Sequence, residues 1–164
     1  MKNSGTFSLR AHGDREIVIT RVFDAPRQMV FEAYTKPELV KRWLLGADGW
    51  SLPVCEIDLR VGGKYRYVWK NDSDGREMGM GGILKEFVPP ERIVTTEKFD
   101  QPWYTGECVG TIELAELNGR TTLTQSLRYE SREAREMVLK SGMEGGLGMS
   151  YDRLAELLTA TVAK

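Results

Sequence analysis

The sequence predicts an α+β domain in which a curved antiparallel sheet of seven strands wraps a long C-terminal helix, with two short helices between the first and second strands. Three observations carry this. Two short helical patterns follow an initial strand, a run of short extended segments separated by turn residues occupies Pro53 to Glu130, and a helical pattern runs from Ser131 to Leu158. At 164 residues the chain has the length of one domain, enough to bury a core without disulfide or metal staples.

Residues 1–14, MKNSGTFSLRAHGD, are small, polar and unpatterned, and are expected to form a flexible tail ahead of a domain spanning 15–164. In REIVITRVF, Ile17, Ile19 and, less cleanly, Val22 alternate among β-branched neighbours and mark the first strand. Asp24 is expected to cap a helix with Pro26 in its first turn and Met29, Val30, Ala33 and Tyr34 on its apolar side. Thr35 and Glu38 have capping-box spacing and open a second helix, whose stripe is Leu39, Val40, Trp43 and Leu44 before Gly46 and Gly49 break it. Six strands follow, placed near Val54 to Val61, Lys64 to Lys70, Glu77 to Val88, Arg92 to Phe99, Thr105 to Leu117 and Arg120 to Tyr129. Turn residues join them at Gly62-Gly63, Asp72 to Gly75, Pro89-Pro90, Asp100 to Pro102 and Asn118-Gly119, the last being the strongest hairpin signal. The final helix has Ser131 at its N-cap and Glu133 in its first turn. Gly142, Gly145, Gly146 and Gly148 each forgo about 0.8–1 kcal/mol relative to alanine in a helix interior, which predicts a bend, close backbone packing or a moving gate.

This order of strand, two helices, six-strand meander and helix resembles the helix-grip fold of the START/SRPBCC superfamily, the birch-pollen-allergen-like binders of lipids and small molecules. The runs FDAPRQMVFEAYTKPELVKRW, CEIDLRVGGKYRY, GGILKEFVPPERIV and YESREAREMVLKSGMEGG with SYDRLAELL are similar to the bacterial stand-alone branch of the heat-shock-protein-90 ATPase activator homologue family, C-terminal domain-like. The resemblance reaches from about residue 15 to the chain's end. It implies a cavity between sheet and terminal helix that binds a small hydrophobic or amphipathic molecule, a lipid or metabolite, with no assigned reaction. The family name adds a stress-response setting and a chaperone or other protein as a second class of partner.

The candidate walls of that cavity are Trp43, Tyr65, Tyr67, Trp69, Met78, Met80, Met143 and Leu147. In KYRYVWK, Tyr65, Tyr67 and Trp69 share one face because strand side chains alternate, and Met78 and Met80 share a face of the next strand. Aromatics bring area with a polar tip and methionines bring adaptable packing, although either set serves equally as plain core. Trp43 lies on the apolar stripe of its helix, and Met143, Leu147 and Tyr151 recur at four-residue spacing on the last helix. Trp50, Trp103 and Tyr104 read as lid residues or as aromatics tucked onto the surface. Arg128, Glu130, Arg132, Asp152 and Arg153 are expected in ion pairs at the helix ends.

A reaction of the cyclase or hydrolase kind is the alternative to binding. It would need an inward tyrosine or one of the strand carboxylates Glu97, Glu107 and Glu113 turned inward with a raised pKa. No catalytic residue is assigned. His12 is the only histidine, which removes a nucleophile-histidine relay and the usual metal ligand set, so no cofactor and no metal are expected. Gly62-Gly63 and Gly81-Gly82 lack the helix and lysine of a phosphate cradle. With 23 Lys+Arg against 24 Asp+Glu, the charge argues against nucleic acid and against a polybasic membrane patch. Cys55 and Cys108 have no partner at ligand spacing and read as reduced thiols. No signal-peptide core or membrane span is present, so a cytoplasmic location is expected, and exposed strand edges or the loop tryptophans allow a homodimer.

Overall fold

A computed structural model of the protein describes residues 4–162. After a 3-10 turn at Ser4–Thr6 come β1 (Ser8–His12), β2 (Glu16–Phe23), α1 (Arg27–Thr35), α2 (Pro37–Trp43), β3 (Trp50–Ile57), β4 (Lys64–Asn71), β5 (Glu77–Val88), β6 (Arg92–Phe99), β7 (Cys108–Leu117), β8 (Arg120–Arg128), α3 (Arg132–Lys140) and α4 (Met143–Val162). The strands make one antiparallel sheet in the order β1-β2-β8-β7-β6-β5-β4-β3. The meander from β3 to β8 and the two short helices after the first domain strand are as the sequence predicts. The α+β helix-grip architecture follows.

The sheet has eight strands rather than seven, because part of the expected tail is a strand. Ser8 to His12 pair with Thr20 to Glu16 through a turn in which Gly13 takes a left-handed φ of 57°. SLRAH alternates only weakly, with Leu9 and Ala11 facing one way, since a short edge strand has little to bury. Residues 1–3 of that expected tail, and 163–164, lie outside the described residues. At the opposite edge, β3 runs from Trp50 rather than Val54, and its pairing with β4 slips between Ser51 and Val54, around the exposed Pro53. Proline lacks the N–H that a ladder needs and belongs on an edge.

The inner face of β2 is Ile17, Ile19, Arg21 and Phe23, so Arg21 and not Val22 continues the alternation. Its guanidinium is fully buried, 2.7 Å from the Asp152 carboxylate of α4 and 5.4 Å from the Phe23 ring. This pair links the sheet to the helix that crosses it.

Two expected caps are replaced. Asp24 pairs with Arg120 at 2.8 Å, and Pro26 precedes α1 without a side-chain cap. Thr35 belongs to the last turn of α1 and donates to Phe31 O at 3.0 Å, while Pro37, with its φ preset, starts α2. Ser131 does cap α3, accepting from Ala134 N at 3.1 Å. The terminal helix breaks at Gly142, whose φ is 83°, so α3 and the long α4 meet at a joint. Gly146 gives the close approach: a Cβ there would touch Ala47 N at 3.5 Å, and the same loop is tied by Arg153 to Gly46 O at 2.7 Å. Gly145 has open space around it.

Burial gathers into two clusters. One joins β2, β7, β8, α1 and α4 through Ile17, Phe23, Leu123, Leu127, Tyr151 and Leu154. The other joins α2 to β3, β4 and β5 through Val40, Leu52, Tyr65, Trp69, Met80 and Leu84.

The two glycines of the joint respond oppositely to alanine. Gly142→Ala is expected to destabilise the fold by about 1 kcal/mol because its left-handed φ disfavours a Cβ, while Gly145→Ala stabilises it by roughly 0.5–1 kcal/mol. Urea unfolding of both variants measures the difference.

Candidate functional site

Between the clusters lies a cavity of about 210 Å³. Its walls come from α1, α2, the first turns of α4 and the inner faces of β3 to β8. Leu59 both lines it and stays 42% exposed, which places its opening beside the β3–β4 connection.

Six of the eight candidate wall residues meet here: Tyr65, Tyr67, Trp69, Met80, Met143 and Leu147. The β4 aromatics form a continuous face, with ring centroids 5.3 Å apart for Tyr65 and Tyr67 and 5.7 Å for Tyr67 and Trp69. Trp69 is fixed by its indole N–H, which donates to Leu44 O at 2.8 Å. Trp43 is not a wall. It is fully buried behind the lining, donates to Ala33 O at 2.9 Å, and packs on Tyr34 and Tyr151, so it supports the residues that do face the void. Met78 is not a wall either, because it sits opposite Trp69 near the end of the β4–β5 ladder with 40% of its surface exposed. Of the loop aromatics, Trp50 opens β3 under the Arg76 guanidinium, Trp103 packs on Phe99, and Tyr104 is buried against Tyr129.

Of the cavity's polar groups, the sequence offers Glu97 as one of three strand carboxylates and does not single out the chain that joins Tyr34, Tyr151 and Gln125. Tyr34 on α1 donates to the Tyr151 hydroxyl on α4 at 2.9 Å, and Tyr151 donates to Gln125 Oε1 on β8 at 2.7 Å. Glu97 on β6 faces the void, whereas Glu113 pairs with Arg92 at the surface and Glu107 is exposed. The inward turn of Glu97 follows from parity, since Ile93, Thr95, Glu97 and Phe99 share one face of β6. Register then sets its neighbours. Gly81 pairs with Lys98 and Leu84 with Thr95, so Gly82 lies opposite Glu97, with Tyr65 across from Gly82 and Cys108 across from Glu97 on the other side. Gly110 makes the room: a methyl group there would overlap Glu97 Oε2.

Burial sets the protonation of this site. It raises the Glu97 carboxyl from 4.5 to about 7. Burial also raises the phenols of Tyr34, Tyr65, Tyr67 and Tyr151, which are neutral at physiological pH. The free thiol of Cys55 is pushed up to about 11 and that of Cys108 higher still, so neither is a ready nucleophile. Among the described residues no three His, Cys, Asp or Glu side chains gather where they could share a metal.

A family model described as Activator of Hsp90 ATPase homolog 1-like protein matches residues 24–159. The chain belongs to this family. Solved structures extend the likeness over nearly the whole chain. A protein from Rhodobacter sphaeroides is 28% identical, with a TM-score of 0.87 over 94% of this chain and 99% of its own. One from Chromobacterium violaceum is 29% identical, with a TM-score of 0.72 over 87% of this chain and 96% of its own. One from Nitrosomonas europaea is 25% identical, with a TM-score of 0.81 over 94% of this chain and all of its own. No curated protein matches this member of the family. Among the described residues no helix is long and apolar enough to cross a membrane.

The raised Glu97 carboxyl has a consequence for stability. As pH rises, the unfolded chain ionises this group first, so the native state of the wild type loses stability from about pH 4.5 until about pH 7. Glu97→Gln removes that loss. The stability gap between variant and wild type is expected to widen by on the order of 3 kcal/mol between pH 4 and pH 8. Urea unfolding across that range checks it, and a gap independent of pH contradicts the assignment.

Proposed function

We propose that the chain binds a small hydrophobic or amphipathic molecule, a lipid or metabolite, in the cavity under α4. The observation that carries this reading is the void itself, about 210 Å³ walled by aromatic, methionine and aliphatic side chains with a few polar atoms among them. Protein interiors close-pack, and a gap of this size leaves its lining without contact partners. An apolar cavity of roughly 150 Å³ suffices for benzene. Few oriented polar groups in an apolar wall are the usual design of a small-molecule site. Family membership supports the fold that makes the gap and names no ligand.

A second reading, catalysis on the bound molecule, draws on one observation: Glu97 is an inward carboxyl that exchanges its proton near neutrality. It requires that Glu97→Gln keep a ligand and lose its conversion.

Titration with 4-phenylbutanol, followed by intrinsic tryptophan fluorescence and thermal unfolding, tests the binding reading. A saturable fluorescence change and a melting temperature that rises with ligand concentration are expected in the wild type. Ile112→Trp, which fills the void from β7, is expected to weaken binding at least ten-fold while the far-ultraviolet circular dichroism is unchanged. A wild type that gives no saturable response, or an Ile112→Trp protein that binds as well, refutes it.

A further inference from the structure

Several polar groups of the cavity lining have their donors committed within the protein. Tyr65 gives its hydroxyl proton to Thr96 O at 2.5 Å and Thr35 gives its own to Phe31 O at 3.0 Å. Tyr34 donates to Tyr151 at 2.9 Å, and Tyr151 donates to Gln125 Oε1 at 2.7 Å. These four hydroxyls can turn only lone pairs toward a guest. Glu97 is the one charged side chain of the lining, and its carboxylate makes no hydrogen bond or ion pair among the described residues. An unpaired polar group held in an apolar site is costly unless a partner arrives. The bare backbone of Gly110 keeps space for that carboxylate, where a methyl group would overlap Glu97 Oε2.

We propose that the cavity takes a small organic amine, its ammonium group paired with the Glu97 carboxylate and its apolar body laid against the aromatic face of β4. The inference rests on the reading of the cavity as a ligand site and adds the head group. An ammonium brings up to three donors to these lone pairs and a positive charge to an uncompensated carboxylate. The rings of Tyr65, Tyr67 and Trp69 attract cations through their faces. An anionic amphiphile meets the opposite situation, since no lysine, arginine or histidine is among the residues lining the cavity. A fatty acid would set one carboxylate beside another.

The groups around Glu97 decide its pH behaviour. Tyr34 from α1, Tyr65 and Tyr67 from β4, Cys108 from β7, Tyr151 from α4, and Tyr104 and Tyr129 from the flanking connections all feel its charge, and burial raises every one of them. All are neutral near pH 7. Arg21 reaches the site only through Tyr151 and is held by Asp152. Because an alkylamine stays protonated to about pH 10, pairing requires Glu97 to ionise, and amine affinity must rise as pH climbs through its pKa of about 7.

Isothermal titration of three probes with one body, 4-phenylbutylamine, 4-phenylbutanol and 4-phenylbutanoate, tests this at pH 6, 7 and 8. At pH 8 the amine is expected to bind at least ten-fold tighter than the carboxylate and tighter than the alcohol. Its affinity is expected to rise about ten-fold from pH 6 to pH 8 while that of the alcohol stays flat. At pH 6 binding should release close to one proton, read from buffers of different ionisation enthalpy. In Glu97→Gln the amine's advantage over the alcohol and its pH slope should both vanish, with alcohol binding retained as the sign of an intact cavity. A wild type that binds the alcohol as well as the amine overturns the amine inference and leaves the cavity reading standing. Failure of all three probes overturns both, and the pH series in the wild type decides the matter even if the variant misfolds.

Discussion

A sheet of eight strands is wider than the helix that must cover it. At about 4.8 Å between neighbours the sheet spans roughly 34 Å, whereas a helix is about 10–12 Å across. Curling brings the margins toward α4, and α1 and α2 fill in beside it, yet their packing still condenses into two clusters rather than one. The cavity occupies the seam. Everything else in the molecule adjusts to that mismatch: Arg21 and Asp152 pin α4 to β2, Gly146 lets α4 approach the loop after α2, and Trp43 props Tyr34 and Tyr151 from behind.

The fold was legible because the meander is written in two local languages that agree, β-branched runs and the turn residues between them. What escaped was information carried by tertiary context. SLRAH shows only a short, weak alternation, Leu9 and Ala11, because it has one neighbour strand and little to bury. Asp24 and Thr35 look like caps, but Arg120, 96 residues away, takes the one and the Phe31 carbonyl one turn back in α1 takes the other. Gly142 was visible as a weak point, while the choice between bend and break depended on its positive φ.

The site divides in the same way. Strand parity put Tyr65, Tyr67, Trp69 and Met80 on one face, and helical spacing put Met143 and Leu147 opposite them. Trp43 and Met78 obey the same parity and still miss the void, one because a second aromatic layer stands in front of it and the other because it lies near the ladder's end. Glu97 shares a face with Ile93 and Phe99, so its inward position was readable, but the space it occupies depends on Gly110 in the neighbouring strand. A carboxyl that opposes folding near neutral pH is the exception to the apolar pattern of the inward face of its own strand.

The two margins of the sheet also govern how copies of the chain meet. β1 is five residues long and carries Arg10, and β3 has its ladder interrupted around Pro53. Neither presents the long, flat, apolar row of free backbone groups along which sheets extend from molecule to molecule. Both margins therefore carry features that disfavour the addition of a further strand to the sheet.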